Sequence, residues 1–476
     1  MTEPPLHVAP RLRARERVVV HVDSPAARWV GALALLIAAS WLMTLVLRSH
    51  HHANWHADGR LAWSLTVFAA VTLIARGIFL GRPVTAAHAG AAALSVLAGF
   101  GAHIVGSDGL GNVLIAGSGL LLMWPTSMRP QPEELPRIWA LVNATSGDPL
   151  APFAMLALKS YFFSADGSAA IAYRTRLGYA VVSGDPIGDP TRYPELVADF
   201  AAMCHAHGWR VVVLGCSERR LGLWNDPAVV GQTLRPVPIG RDVVIDVPTF
   251  DMVGRRFRNL RQAVQRTRNC GITTEVVAEQ ELDDGQVAEL ADVLLCSHKG
   301  ARTERGFSMI LDGALTGRYP GILLIVARDS AGQVQGFHRY AVAGGGSDVT
   351  LDVPWRRRGA PNGIDERLSV DMITAMKKAG AQRLSLAFAA FPEIFNDKDR
   401  GSLSTFFYYA IHLGDGLIAL ESLYRYLRKF HALGDRRYVL LSYSQVLPLL
   451  GVLLSLEFMP RRRLLTAAMA SASASH

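Results

Sequence analysis

The stretch that runs from Asp352 into the segment bearing Glu366 holds the richest set of chemically active side chains in this sequence. It combines carboxylates, a run of three arginines and an asparagine suited to starting a helix. Carboxylates serve as general acids and bases, and neighbouring cations can stabilise an oxyanion. Because active sites tend to gather such acids, Glu366 and Asp352 are predicted as catalytic carboxylates. Glu366, one turn into its predicted helix, is expected to face the same mouth as Asp352. The alternative for Glu366 is that it only complements a helix dipole.

His338 is a third candidate base, in a strand-like run beside Arg339. A buried histidine whose hydrogen bonds are already satisfied is the alternative at this position. Around the acids, Arg356, Arg358 and Asn362 are predicted to bind substrate, and Asn362 is also the predicted helix cap.

A second charged group is a run of six arginines with no acid among them. Such a run repels itself unless it is solvated or faces an anion. Arg255, Arg258 and Arg261 are therefore predicted to contact phosphates of an RNA or of anionic lipid, and a merely solvated face is the alternative. The full set is Arg255, Arg256, Arg258, Arg261, Arg266 and Arg268. The apolar residues among them predict the buried stripe of a helix, formed by Phe257, Leu260 and Val264.

Two shorter motifs carry further predictions. In KGARTERGFSM, the residues Lys299, Arg302 and Glu304 are predicted to contact substrate, with structural salt links as the alternative. In GDPIGDP, Asp185 is predicted to bind substrate, with a tight structural turn as the alternative. The chain has no GxxxxGK[ST], GxSxG or HExxH motif, so the familiar NTPase, serine-hydrolase and metalloprotease signatures are excluded, and no metal site is predicted.

The elements that must position these residues alternate between strands and helices. Short β-branched runs such as AAIAYR, YAVVSGDP, RVVVLGC and GILLIVAR predict strands. Residues 193–207 predict one helix, and apolar residues recurring every fourth position up to Gly380 predict another. This order indicates a mixed α/β domain.

Ahead of this domain lie four nearly uncharged stretches. They are Trp29–Leu47, Leu61–Gly81, Val84–Gly106 and Gly109–Trp124. A helix of about 20 apolar residues crosses the hydrocarbon core of a bilayer, so residues 29–127 are predicted to form about four membrane helices. The arginines of residues 1–28 should stay in the cytoplasm, and four crossings then place both termini and the α/β domain there, in the plasma membrane.

The remaining segments complete the predicted organisation. Residues 128–149 read as a proline-rich linker, and residues 464–476 as a disordered tail. Residues 447–463 are apolar and then basic, which suits an interfacial membrane helix or a last core helix. The four cysteines stand far apart without a CxxC pair, which fits a reduced cytosolic domain.

Several blocks of residues 150–446 together resemble a known family. The segment KSYFFSADGSAAIAYRTRLGYAVVSGDPIGDP is followed by RRFRNLRQAVQRTRNCGITTEV, KGARTERGFSM, LDVPWRRRGAPNGIDERLSVDMI and RLSLAFAAF. In this order they resemble the catalytic domain of the aminoacyl-phosphatidylglycerol synthases, the multiple peptide resistance factor family. The chain departs from the family in having few predicted spans and in reading LGDRRYVLL where the family has W-x-P-R-Y before its last strand.

The resemblance implies two tandem GNAT-type folds that transfer an amino acid from aminoacyl-tRNA to a hydroxyl of phosphatidylglycerol or diacylglycerol, changing membrane surface charge. No cofactor is predicted, because the aminoacyl ester is already activated. RRRGAP also resembles the loop with which GNAT enzymes hold coenzyme A, although Pro361 removes an amide donor there. A coenzyme A-dependent acyltransferase and a membrane-tethered nucleic-acid-binding protein are therefore the alternative functions.

Overall fold

The computed structural model describes residues 18–20, 24–51, 58–297, 303–304, 311, 313–390, 424–443, 446–457 and 461–462. Eleven labelled helices and sixteen strands lie in this part of the chain. The helices are α1 (Pro25–His51), α2 (Asp58–Phe79), α3 (Ala86–Ile104), α4 (Asp108–Leu122), α5 (Leu135–Ala144), α6 (Tyr193–Ala206), α7 (Pro227–Val230), α8 (Arg258–Asn269), α9 (Asp284–Cys296), α10 (Ile364–Lys378) and α11 (Val446–Glu457). The strands are β1 (Val18–Val20), β2 (Val84–Thr85), β3 (Ser160–Phe163), β4 (Ala169–Arg176), β5 (Tyr179–Ser183), β6 (Ile187–Gly188), β7 (Arg210–Ser217), β8 (Arg235–Asp246), β9 (Thr273–Ala278), β10 (Thr303–Glu304), β11 (Ile322–Arg328), β12 (Val334–Ala343), β13 (Asp348–Arg356), β14 (Arg383–Ala390), β15 (Leu433–Leu441) and β16 (Arg461–Arg462).

Helices α1 to α4 form the predicted membrane region. Among the described residues, three helices are long and apolar enough to cross a membrane, and α4 is a shorter apolar helix, in agreement with the prediction of about four. Large apolar side chains such as Trp29, Leu36 and Leu94 are more than 60% exposed, as expected of surfaces that meet lipid rather than water. Gly119 lets α4 approach α2 closely, because a Cβ there would lie 2.6 Å from the Ala70 carbonyl oxygen.

The ends of α2 and α4 are fastened to the α/β domain. Arg82, just after α2, donates to the Met123 carbonyl at 3.0 Å, so the two helix ends are held together. Trp209 Nε1, in the turn before β7, donates to the Thr126 carbonyl at 3.0 Å. In the β4–β5 hairpin, a Cβ at Gly178 would lie 3.2 Å from Arg82 Nη2 and 3.4 Å from Pro125 Cβ. The hairpin and the turn before β7 are therefore parts of the domain that contact the ends of the membrane helices.

One continuous sheet runs through the α/β domain and contains two similar halves. Its order is β3-β4-β5-β7-β15-β8-β14-β13-β12-β11-β9, with β6 beside β4. In the first half β3, β4 and β5 are antiparallel, and α6 connects β5 to the parallel strand β7. In the second half β11, β12 and β13 are antiparallel, and α10 connects β13 to the parallel strand β14. The predicted mixed α/β architecture is confirmed.

The two crossover helices start at opposite edges of this sheet, where an edge means the side formed by the ends of the strands. Strand β15 is antiparallel to both β7 and β8, and β14 is antiparallel to β8. Strands β5 and β7 therefore point one way, and β13 and β14 point the other way. The loop leading into α6 lies at one edge, and the loop leading into α10 lies at the edge that carries the β4–β5 hairpin and the membrane helices.

Separate hydrophobic cores cover the two faces of the sheet. Helix α6 and helix α11 pack on opposite faces of the first half. In the second half, α8, α10 and residues 424–430 cover one face, and α9 covers the other. Buried residues Leu449, Val452 and Leu456 place α11 in the core, which favours the core-helix alternative for this apolar segment. After α11, β16 pairs with β10 of the second half.

Candidate active site

Neighbouring side chains of strand β12 point to opposite faces of the sheet. His338 and Tyr340, two residues apart, face α10, where both lie near the hydroxyl of Ser369. Arg339, between them, points to the other face, as the alternation of a strand requires. The candidate residues of the second half therefore fall into two groups on the two sides of one strand.

The first group is a hydrogen-bonded network around the fully buried His338. Its Nε2 lies 3.2 Å from Asp365 Oδ1, and its Nδ1 lies 3.4 Å from Ser369 Oγ and 3.5 Å from the Tyr340 hydroxyl. Ser369 Oγ is also hydrogen-bonded to the hydroxyl of Tyr426. Asp365 and Ser369 stand one turn apart on α10, so the helix presents both to the same strand. His338 lies on a strand with both ring nitrogens near polar partners, as the alternative for this residue describes, and its role as a base stays a prediction.

Glu366, the next residue on α10, forms an ion pair with Lys429. The carboxylate is almost fully buried, and the lysine side chain is 36% exposed. The predicted cap is wrong by one residue: Gly363, with φ 102°, occupies the cap position, and the exposed Asn362 precedes it. Glycine is needed there because a Cβ would lie 2.8 Å from the Ala263 carbonyl oxygen of α8.

The second group lies on the other face and is built around Asp352. Arg339 donates to Asp352 Oδ2 at 2.9 Å and to Glu279 Oε2 at 2.6 Å, and all three side chains are fully buried. Asp352 sits at an irregularity in the β12–β13 register, where a β-bulge re-aims a side chain. Burial raises the pKa of Asp352 to about 6, although Arg339 acts to lower it. Asp352 and Glu366 were expected to face one mouth, and this is wrong, because a strand with alternating side chains separates them.

The six arginines form an exposed surface on α8 and the turn before it. The predicted inner stripe is confirmed, since Phe257, Leu260 and Val264 are buried. Within the described part of the chain, no carboxylate pairs with any of the six arginines; Arg261 instead donates to the Gly254 carbonyl at 2.8 Å. His431 Nε2 lies 3.1 Å from the Arg256 carbonyl oxygen, which ties this surface to the segment bearing Lys429.

The structure describes some of the other predicted binding residues in full and others only in part or not at all. Arg356 is 44% exposed, with Nη1 3.5 Å from Asp365 Oδ2, and Arg358 is exposed in the loop before α10. Both arginines therefore lie at the start of the helix that bears Glu366. Lys299 and Arg302 lie outside the described residues, and of Glu304 only the backbone, in β10, is described. Asp352 accepts a hydrogen bond from the Leu311 backbone at 2.8 Å, shortly after that block.

Asp185 belongs to a buried ion cluster in the first half, at the other edge of the sheet. Arg437 lies 3.0 Å from Asp148 Oδ1, 3.5 Å from Asp185 Oδ2 and 2.8 Å from Asp242 Oδ2. Asp185 also accepts from the Ser217 backbone at 2.9 Å, which favours the structural alternative for its loop. Burial raises the pKa of Asp185, and it raises that of Asp242 to about 6.

Two small neighbouring clefts share Asp148 and Asp185 in their walls. They lie in the first half and not beside Glu366. Both aspartates are already held by Arg437 and by backbone amides. The second half, where charged groups are exposed, is therefore the stronger candidate for binding a ligand.

Sequence reasoning missed four residues of the second-half site. The sequence patterns do not single out Asp365, Ser369, Tyr426 or Lys429. The four-residue spacing of Asp365 and Ser369 was a usable signal for a shared helix face. Tyr426 and Lys429 lie in ESLYRYLRKFHALGDRRYVLL, far along the chain, and no local pattern could bring them to α10.

Comparisons with known proteins find matches over most of the chain. The profile of the family described as phosphatidylglycerol lysyltransferase, C-terminal, matches residues 139–441. An MprF-like domain protein of Mycobacterium tuberculosis (strain ATCC 25618 / H37Rv) is 70% identical over 460 residues, covering 97% of this chain and 95% of that protein. The lysylphosphatidylglycerol biosynthesis bifunctional protein LysX of Rhodococcus jostii (strain RHA1) is 33% identical over 264 residues, 55% of this chain but only 23% of that protein.

Solved structures show the same fold at low sequence identity. The C-terminal domain of a candidate lysylphosphatidylglycerol synthetase from Agrobacterium fabrum matches with a TM-score of 0.56 and 22% identity, covering 68% of this chain and 98% of that one. L-PGS from Bacillus licheniformis matches with a TM-score of 0.55 and 20% identity, covering 69% and 96%. The predicted fold class, membrane helices followed by a tandem GNAT-like α/β domain, is confirmed.

Proposed function

The chain belongs to the phosphatidylglycerol lysyltransferase C-terminal family, and from this premise we propose that it transfers an amino acid from aminoacyl-tRNA to the hydroxyl of a membrane lipid. Phosphatidylglycerol is the first candidate acceptor and diacylglycerol the second. Adding an amino acid with a free ammonium group to an anionic lipid makes the membrane surface less negative.

The observation that carries the proposal is the position of the arginine surface. Helix α8 packs directly against the start of α10, where Gly363 meets the backbone of Ala263. The exposed arginines thus lie next to the helix that bears Glu366. A polyanion such as tRNA, bound through its phosphates to Arg255, Arg258 and Arg261, would have its acceptor end within reach of this helix.

The position of the membrane helices supports a lipid acceptor. The loop that leads into α10 lies at the sheet edge that also carries the β4–β5 hairpin, to which α2 and α4 are fastened. The donor surface and the bilayer therefore lie near the same helix start. In the topology that we propose, both termini and the α/β domain are cytoplasmic, so the acceptor belongs to the inner leaflet of the plasma membrane.

The reaction exchanges one ester for another. The lipid oxygen forms a bond to the aminoacyl carbonyl carbon, the bond to the tRNA ribose oxygen breaks, and one proton passes from the lipid hydroxyl to the ribose. We assign Glu366 either to orienting the ammonium of the donor or to relaying the proton of the acceptor, with Lys429 as its counter-ion. Arg356 and Arg358, at the helix start, supply positive charge for the oxyanion or a phosphate. Asp352 and Arg339 support the site from the other face.

The proposal is tested with the full-length protein in detergent micelles, a panel of radiolabelled aminoacyl-tRNAs and vesicles containing phosphatidylglycerol or diacylglycerol. Label should enter the organic phase with at least one tRNA and one lipid. A parallel reaction with labelled acetyl-coenzyme A tests the alternative acyltransferase. Transfer from coenzyme A alone, or no transfer from any charged tRNA, would overturn the proposal.

A further inference from the structure

The proposed reaction requires a group that removes the proton of the lipid hydroxyl, and the His338 network has the geometry of a proton acceptor. His338 is fully buried, so it cannot touch a substrate directly. It is nevertheless connected on two sides to residues that are less buried: Asp365 is 24% exposed, and Tyr426 is partly buried, with its hydroxyl in the interior beside Ser369. A series of hydrogen bonds therefore runs from Asp365 through His338 and Ser369 to Tyr426.

The direction of these hydrogen bonds is set by Asp365. A carboxylate only accepts hydrogen bonds, so His338 must carry its proton on Nε2, which lies 3.2 Å from Asp365 Oδ1. In the neutral ring Nδ1 is then an acceptor, and it faces the hydroxyls of Ser369 and Tyr340 at 3.4 and 3.5 Å. Ser369 can donate to Nδ1 while it accepts from Tyr426, so all the hydroxyl protons point the same way.

We propose that Asp365 is a positioning residue that holds His338 in the Nε2-protonated form, so that His338 accepts the proton of the lipid hydroxyl through Ser369 and Tyr426. This inference rests on the proposed function. The residue that touches the acceptor is Tyr426, three positions before Lys429, the partner of Glu366. Ser369 and His338 act behind it.

The proton transfers along this series of hydrogen bonds balance. The lipid hydroxyl gives its proton to the Tyr426 oxygen as the oxygen attacks the carbonyl carbon. The proton of Tyr426 moves to Ser369, and the proton of Ser369 moves to His338 Nδ1. The imidazolium is then paired with Asp365. When the bond to the ribose oxygen breaks, the protons return along the same path and the ribose hydroxyl forms, so no proton is gained or lost.

Other charged groups around the network are compatible with this role. Arg356 shares Asp365 from the end of β13, with the two side chains 3.5 Å apart. Glu366 and Lys429 balance each other beside Tyr426. Burial raises the pKa of both Tyr340 and Tyr426, so both keep their hydroxyl protons at neutral pH and can serve as donors.

The test compares Asp365→Asn with Asp371→Asn in the full-length protein, using lysyl-tRNA or the most active charged tRNA and phosphatidylglycerol vesicles. Asp371 is a matched control, because it lies on the same helix and is also paired, to Arg367 at 2.5 Å. An asparagine can donate to Nε2 and so stabilise the wrong tautomer. We expect kcat to fall about 10²-fold for Asp365→Asn and to remain near that of the unmodified protein for Asp371→Asn.

The pH profile separates positioning from a structural role. Asp365→Asn removes the negative charge that faces His338, so its pH profile of kcat should differ from that of the unmodified protein, whereas Asp371→Asn should leave the profile unchanged. Asp365→Glu should restore the profile in part. If Asp365→Asn and Asp371→Asn have the same profile and the same rate as the unmodified protein, the inference is overturned.

A second measurement does not depend on transfer. In protein labelled with ¹⁵N-histidine, and with His338→Gln used for assignment, His338 should be protonated on Nε2, and this signal should change in Asp365→Asn. Protonation on Nδ1 would overturn the inference even if transfer occurs. An unmodified protein with no transfer activity but with the expected His338 signal would overturn the proposed function and leave the tautomer assignment supported.

Discussion

The two halves of the α/β domain use buried charge in opposite ways. In the first half, Arg437 binds three aspartates at the edge of the sheet away from the membrane helices, and all four side chains are buried. In the second half, the charges at the start of α10 are shared with exposed residues, Arg356 and Lys429, and stand beside arginines without acidic partners among the described residues. The same strand–helix–strand arrangement therefore yields a structural ion cluster in one half and a candidate active site in the other.

Arg437 alone does not balance the charge of the first-half cluster. Three carboxylates around one guanidinium leave an excess of negative charge, which burial makes costly unless a proton is retained. The raised pKa values of Asp185 and Asp242 express this cost. A second guanidinium-centred group, Arg339 with Asp352 and Glu279, lies behind the candidate site of the second half and supports it in the same way.

The largest expected effect concerns Arg437. Arg437→Met would leave three buried carboxylates without their cation, and breaking such a cluster costs roughly 3–5 kcal/mol of the free energy of unfolding. Denaturant unfolding in detergent, followed by tryptophan fluorescence, measures it. Asp185→Asn is the matched control, because it removes one of the excess acids and keeps an acceptor for Ser217, so its cost should be clearly smaller. Equal losses for the two variants would contradict the structural reading of the first half.

The next effect concerns Glu366 in the second half. Glu366→Gln keeps the shape and removes the charge that pairs with Lys429, so transfer should fall by roughly 10²-fold or more. Folding and membrane insertion should survive. Glu289→Gln is the control: Glu289 also lies on a helix and pairs with an arginine, Arg328, at 2.7 Å. Near-normal transfer by Glu366→Gln, or an equal loss in Glu289→Gln, would remove Glu366 from the proposed site.

The next, smaller effect concerns the arginine surface and is an effect on tRNA binding. Changing Arg258 and Arg261 together to Ala should weaken tRNA binding several-fold, and should flatten the log–log dependence of binding on salt by about 0.7–0.9 for each phosphate that is no longer neutralised. Fluorescence anisotropy with labelled tRNA over a salt series measures both. Arg192→Ala is the control, because Arg192 is similarly exposed but is paired with Asp166 at 2.9 Å. An unchanged salt dependence would favour the alternative that the arginines of α8 are merely solvated.

How far the sequence predicts this site depends on the range of the interactions. The family, the fold class, the buried stripe of α8 and the position of His338 on a strand follow from local patterns and quoted motifs, and all are confirmed. The pairing of Glu366 with Lys429 could not be predicted, since 63 residues separate them. The separation of Asp352 from Glu366 depends on a bulge and on which face of β12 meets α10, and the spacing of the two acids indicates neither.

The smallest effect is on the pH dependence of stability, and it compares the buried clusters of the two halves directly. The pKa values of Asp352 and Asp242 are both raised to about 6 by burial. The folded protein thus binds these protons more tightly than the unfolded chain, in which an aspartate has a pKa of about 3.9. Their contribution to stability is complete below about pH 4 and is lost as the pH rises to about 6.

Asparagine cannot titrate, so Asp352→Asn and Asp242→Asn should each flatten the fall in the free energy of unfolding between about pH 4 and 6, by roughly 1–3 kcal/mol. Unfolding in detergent at a series of pH values measures this slope. Asp166→Asn is the control, because hydrogen bonds from Ser164 and Ser168 lower the pKa of that exposed carboxyl, and its titration falls below the window. A slope that persists in both Asp352→Asn and Asp242→Asn would show that neither cluster retains a proton. The excess negative charge around Arg437 would then have to be balanced by a cation, and the first half would become a candidate binding site.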